Sequence, residues 1–210
     1  MRTSTRRLGT STSASAAVLF LGLLAAPATY AGTAFASSPG AGGTADAGKT
    51  TGRHCAVNVD TEAVSCYATF REAIAKATGG RITDGPEEAR TAAADAAFER
   101  QVNTASTSAA APAATTLISI EYQHPDYKGE TRSMYGTRGS CTSGATYKRA
   151  DIRTLYADWN DKISSFKGQS GCRVNHYEHS NYGGAQTGYK SAMKDMGLME
   201  DKTTSLRWAK

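Results

Sequence analysis

Along the C-terminal half of the chain, runs such as Leu117-Ile118-Ser119-Ile120 alternate apolar and polar positions, the period-two signature of strands with one buried face. Upstream the period changes. Thr69-Phe70-Arg71-Glu72 is a capping box opening a short helix, with Phe70, Ile74 and Ala77 on one face and Gly79-Gly80 as its stop. From Pro86-Glu87-Glu88 an alanine-rich helix is predicted to about Gln101, anchored only by Phe98 and Val102. Burying alanine removes little apolar surface, so this helix is expected to be loosely docked or marginal. Earlier still, Cys55 and Cys66 flank Val57 to Val64 in what reads as a tight hairpin.

These patterns divide the chain. Residues 1–36 read as an export signal: Arg2, Arg6 and Arg7 form a basic start and residues 16–24 an apolar run too short to span a membrane. Ala34-Phe35-Ala36 is the expected cleavage site, with Thr29-Tyr30-Ala31 as the alternative. Residues 37–52 are rich in Gly, Ala, Ser and Thr and are expected to be flexible. A small disulfide hairpin with helices then occupies 53–103, a linker around Pro112 occupies 104–116, and a mainly β domain fills 117–210. That last domain holds eight of the ten tyrosines and both tryptophans, enough for its own core.

The β domain is internally repeated. Tyr122-Gln123-His124-Pro125-Asp126-Tyr127-Lys128-Gly129 returns as Tyr177-Glu178-His179-Ser180-Asn181-Tyr182-Gly183-Gly184, at an offset of 55. Trp159-Asn160-Asp161-Lys162-Ile163-Ser164-Ser165-Phe166 returns as Glu200-Asp201-Lys202-Thr203-Thr204-Ser205, followed by Leu206 and Trp208, at an offset of 40. The first repeat is therefore 15 residues longer, and the excess falls around 137–150. Each repeat reads as strand, aromatic turn closed by Gly, strand, oxygen-rich loop and final strand.

A Tyr-x-x-x-x-Tyr-x-Gly turn paired with an Asn/Asp-Asn/Asp-x-x-Ser/Thr-Ser loop resembles the βγ-crystallin domain in its microbial, calcium-binding form. The resemblance covers 117–210; Asn160 to Ser165 fits the loop pattern throughout, whereas Glu200 departs from it at the first place of the second copy. It implies a sandwich of two four-stranded Greek keys. It also implies Ca²⁺ held jointly by two loops, since hard cations take carboxylate, hydroxyl and carbonyl oxygens. Carried over by position, the ligands would be the carbonyls of Lys162 and Lys202, the hydroxyls of Ser164 and Thr204, and carbonyls of Gln123 and Glu178. Asp161 and Asp201 would be acidic neighbours or ligands, with water completing a shell of about six to eight. So few formal charges imply micromolar to millimolar affinity.

Composition removes several alternatives. The net charge of +5 falls to +2 once the signal's three arginines leave, and the β domain's 14 Lys/Arg and 10 Asp/Glu form no run in sequence. Nucleic acid is not an expected partner, nor is a membrane after signal cleavage. No Gly-x-Ser-x-Gly, His-Glu-x-x-His or phosphate-binding glycine loop occurs, and catalysis is not expected. His176 and His179, three apart on a strand, point to opposite faces and make a poor zinc pair. Four cysteines in an exported chain allow three pairings; Cys55–Cys66 and Cys141–Cys172 are expected, each within its own segment. The reading is thus a secreted, monomeric, calcium-binding protein without catalytic activity. The alternative is a secreted protease inhibitor or toxin on the same fold, with the insertion around Cys141 as the loop entering a protease cleft.

Overall fold

The computed structural model describes residues 53–107 and 115–210; the expected export signal at 1–36 and the segment 37–52 lie outside the described residues. The first repeat gives β3 (Thr116–His124), β4 (Lys128–Gly136), the short β5 (Tyr147–Arg149) and β6 (Ser165–Gly168). The second gives β7 (Arg173–Tyr177), the two-residue β8 (Ala192–Met193) and β9 (Ser205–Ala209). Between β7 and β8 the chain follows β7 without forming a regular strand, through the bridges Tyr177 to Gln186 and Val174 to Lys190 and the hydrogen bond from Thr187 N to His176 O.

The two repeats exchange their third strands. β8 pairs with β6 of the first repeat, and β5 pairs with β9 of the second. One sheet therefore runs β4-β3-β6-β8 and the other β5-β9-β7, each completed by a strand from the opposite repeat. Ile118, Met134, Trp159, Ile163, Phe166, Val174, Leu206 and Trp208 fill the space between them. This interlocked pair of Greek keys is a βγ-crystallin-like sandwich, with sheets of unequal size rather than two of four strands.

The inequality comes from the N-terminal hairpin. β1 (His54–Asn58) pairs antiparallel with β2 (Val64–Tyr67) and runs parallel to β4, so the larger sheet has six strands, β2-β1-β4-β3-β6-β8. Cys55 and Cys66 are direct cross-strand partners and are bonded, with Cα atoms 4.0 Å apart. Val57 and Val59 reach into the sandwich core. The hairpin is laid along the β domain as two further strands.

The helices cover the outer face of this sheet. α1 (Phe70–Ala77) has the expected capping box: Thr69 Oγ1 accepts from Glu72 N, and the Glu72 carboxylate accepts from Thr69 N. The alanine-rich stretch forms two helices, α2 (Ala89–Ala94) and α3 (Ala96–Thr107), because Asp95 is extended and caps the second. Its Oδ1 accepts from Ala97 N at 2.7 Å and Phe98 N at 3.2 Å. Phe70, Ile74, Phe98 and Val102 bury themselves against Leu117, Ile120, Tyr122 and Tyr135. Each large side chain contributes about 1.5–3 kcal/mol on burial, so the alanines only need to bring these anchors close. α3 runs to Thr107, into the stretch assigned to a linker by composition.

Covering both faces of β3 inverts the usual alternation. Leu117, Ile120 and Tyr122 point to the helices, while Ser119 and Glu121 point into the sandwich. A register shift between Leu117 and Ser119 lets Ile118 also join the inner core.

Candidate functional site

The aromatic turns come first, because they set the oxygen loops. Asp126, Tyr127 and Gly129 in the first repeat, and Asn181, Tyr182 and Gly184 in the second, all have positive φ. Gly129 and Gly184 must be glycine twice over: φ is +82° and +76°, and a Cβ would come within 2.7 and 2.8 Å of the His124 and His179 rings. Tyr122 packs edge-on to Tyr127 at 5.3 Å and Tyr177 to Tyr182 at 5.6 Å. The last serine of each oxygen loop locks the turn. Ser165 Oγ donates to His124 O at 2.6 Å and accepts from Tyr127 N at 3.2 Å; Ser205 Oγ donates to His179 O at 2.6 Å and accepts from Tyr182 N at 3.0 Å.

The two loops meet. Asp161 and Asp201 are left-handed, at φ 58° and 51°, and their amides donate across to Thr203 O and Ile163 O respectively. Ser164 N donates to Tyr122 O and Thr204 N to Tyr177 O, placing each hydroxyl residue beside Gln123 or Glu178. Ser164 Oγ lies 2.7 Å from Gln123 O and 2.8 Å from Asp201 Oδ1. The related pair, Thr204 Oγ1 and Asp161 Oδ1, stands at 3.5 Å. Each cluster thus takes one residue from each loop.

The first cluster is the tighter, with three oxygens together; among the described residues the Thr204 hydroxyl bonds Asp161 and not the Glu178 carbonyl. The Glu178 side chain instead accepts from Ala185 N, as Gln123 Oε1 accepts from Glu130 N. Lys162 and Lys202 are exposed, and among the described residues no donor takes up either carbonyl. Burial raises the Asp161 carboxyl above the usual range; the Thr204 hydrogen bond and the charge of Arg153 oppose this, and repulsion from Asp201 and Glu178 adds to it. Among the described residues no group of three or more His, Cys, Asp or Glu side chains is placed to hold a metal. An ion here would rest on hydroxyl, carbonyl and single carboxylate oxygens, a hard donor set that fits Ca²⁺ better than a transition metal.

The insertion forms the second candidate site, between β4 and β5. Its crown is a 3₁₀ turn, Cys141–Ser143, capped by Ser140 and closed by Gly144 at φ 92°. Cys141 is bonded to Cys172, Ser140 Oγ donates to Ser170 O at 2.9 Å, and Cys141 N donates to the same carbonyl. Tyr147 OH donates to Gly139 O at 2.7 Å and accepts from Arg138 N. Thr142, Ser143 and Gly144 are exposed at the tip.

Both stems are held by the turn of the N-terminal hairpin. Asp60 Oδ2 accepts from Thr137 N at 2.9 Å and from Thr137 Oγ1 at 3.1 Å, while Asp60 Oδ1 pairs with Arg138 at 2.7 Å. On the other stem Arg149 pairs with Glu62 at 2.6 Å. Asp60 lies far from the loop in sequence, and nothing local signals its role.

Nor did sequence reasoning find the polar centre of the sandwich. His176 Nε2 and Glu121 Oε2 are 2.9 Å apart with both side chains fully buried. Ser119 Oγ donates to Glu121 and accepts from Trp208 Nε1 at 2.8 Å. The chain crosses from one sheet to the other, and its enclosure assigns it to structure.

Strand exchange, paired tyrosine turns and reciprocal oxygen loops define a two-Greek-key βγ-crystallin-like domain carrying an inserted, disulfide-held loop. A family model, that of peptidase inhibitor family I36, matches residues 121–189. Among solved structures, the chain is similar to a βγ-crystallin domain from Clostridium beijerinckii, at 25% identity and a TM-score of 0.34, over 44% of this chain and 97% of that one. It is also similar to the N-terminal domain of protein S, at 20% identity and a TM-score of 0.34, over 43% and 93%. No curated protein matches.

Proposed function

We propose that this chain is an exported inhibitor of peptidases and that the loop of residues 137–146 is the part that meets the enzyme. The observation that carries this reading is the position of the loop: the span similar to the inhibitor family, 121–189, contains it together with both cysteines of its bridge. An inhibitory segment gains affinity by entering a cleft already in its bound shape, because ordering backbone and side chains on binding costs free energy. The Cys141–Cys172 bridge, the Ser140 bonds and the Asp60 and Arg149 clamps restrict this loop at crown and stems. Titrating the purified protein against metallo- and serine peptidases tests the reading. Stoichiometric loss of activity in at least one class is expected, and unchanged rates at excess inhibitor reject it.

A second reading concerns calcium, and the meeting of Ser164 Oγ, Gln123 O and Asp201 Oδ1 favours it. Ca²⁺ would take the place of the Ser164 hydrogen bond among those oxygens, the hydroxyl keeping its proton and turning it outward, and would tie the two Greek keys together at one end, with Lys162 and Lys202 offering carbonyls. Its role is stability, since an ion bound only by the folded chain raises the melting temperature. Melting in millimolar calcium against EGTA decides it, and equal temperatures exclude the ion.

A further inference from the structure

The outer face of the smaller sheet gathers cations that the sequence scatters. Lys148 on β5 and Arg207 on β9 are direct cross-strand partners, and Arg173 lies on β7 in the same sheet. Like charges set directly opposite on one face destabilise a strand pair. Neither Lys148 nor Arg207 has an ion-pair partner among the described residues; Arg207 is stacked 3.8 Å over the Tyr182 ring, which holds it without neutralising it. These two side chains and Arg138, which is itself paired with Asp60, border a groove of about 490 Å³ walled by Tyr147 and Tyr189, and among the described residues no acidic one lines it.

The groove is continuous with the inserted loop. Arg138 and Thr146, which belong to its stems, form one wall, and β5 follows directly. An enzyme engaged at 142–144 would therefore bring its surface over this face. From charge complementarity and this continuity we infer that the groove is a secondary contact for an acidic segment of the target peptidase. That inference rests on the inhibitor reading. Its effect falls on association more than on residence, because a rim charge steers encounter and adds little to a formed interface. It also selects among peptidases of similar cleft specificity by the charge beside the cleft.

Two measurements test this with the full mature chain. First, the association rate with an inhibited peptidase is followed from low to high salt for the wild type, Lys148→Glu and, as a control charge reversal elsewhere, Lys194→Glu. Lys148→Glu is expected to slow association about tenfold at low ionic strength, with the gap closing at high salt and dissociation little changed. Identical rates for both variants at every salt concentration overturn the inference. Second, ¹H–¹⁵N spectra are recorded with hexaglutamate. Shifts at the amides of Arg138, Lys148, Tyr189 and Arg207 support the groove, and none at millimolar peptide overturns it. Movement with a sulfated polysaccharide but not with hexaglutamate also overturns it, in favour of a glycan surface. Failure to inhibit any peptidase would sink the inhibitor reading, while the hexaglutamate spectra still judge the groove.

Discussion

Replacing Asp60 by alanine separates loop geometry from the stability of the fold. The carboxylate accepts two hydrogen bonds from Thr137, at 2.9 and 3.1 Å, and pairs with Arg138 at 2.7 Å. Its own side chain is 14% exposed, but that of Arg138 is 54% exposed, so water screens the ion pair and its share is only about 0.2–1 kcal/mol. The bonds from Thr137 go to a charged acceptor, but both groups sit near the surface, and about 1 kcal/mol is reasonable for the pair. The loss should total about 1–2 kcal/mol, a drop in melting temperature of roughly 3–8 °C for a unit of this size. The local effect is larger than this suggests, because the stem of the insertion loses its main hold while the Cys141–Cys172 bridge still fixes the crown. Hydrogen exchange should accelerate in residues 137–140 and leave β3, β6 and β9 protected, and inhibition should weaken with it. Arg149 keeps the other stem, so Glu62→Ala added to Asp60→Ala should extend the fast exchange to 146–149. A variant that melts lower but shows unchanged exchange across 137–149 would refute the clamp.

Three further outcomes follow from the sandwich. His176→Phe leaves Glu121 buried with only Ser119, and should cost about 1–3 kcal/mol, whereas adding Glu121→Leu should recover most of it; denaturant titration of single and double variants measures this, and no recovery counts against a coupled contact between the two side chains. Ser165→Ala and Ser205→Ala each remove a donated and an accepted bond at a tyrosine turn and should each cost about 2 kcal/mol; values differing by more than about 1 kcal/mol would mean that the two turns are not equivalent. Calcium at a hundredfold excess over its Kd should stabilise the wild type by about 2.7 kcal/mol. In the Ser164→Ala, Asp201→Asn double variant that gain should vanish, and an equal gain would place the ion elsewhere.

What was legible in the sequence is what each segment determines for itself. The tyrosine turns need positive φ and glycine at fixed places, so they leave a spacing. The capping box of α1 is likewise local. The break at Asp95 was hidden because a single Asp among alanines looks like a helix surface residue until it is seen to cap α3. β5 and β8, three and two residues long, carry too little pattern to announce that they trade places between repeats. The hairpin at 54–67 docks parallel to β4, and parallel pairing leaves no connecting turn to read.

The repeat nonetheless held more than spacing. Glu121 and His176 lie 55 residues apart, the same offset as Tyr122 and Tyr177, so they occupy one position in two copies. In a sandwich whose halves are related by a pseudo-twofold axis, equivalent inward positions near the axis face one another. The oxygen loops obey the same relation at their offset of 40: Ser164 reaches Asp201, and Thr204, its equivalent, faces Asp161. An internal repeat in an interlocked β sandwich therefore predicts contacts as well as strands. The inserted loop and the basic groove fall outside that rule, since residues 137–146 have no counterpart and Lys148 meets Arg207 only through strand exchange. The features proposed here to distinguish this chain's partner are thus those its internal symmetry does not repeat.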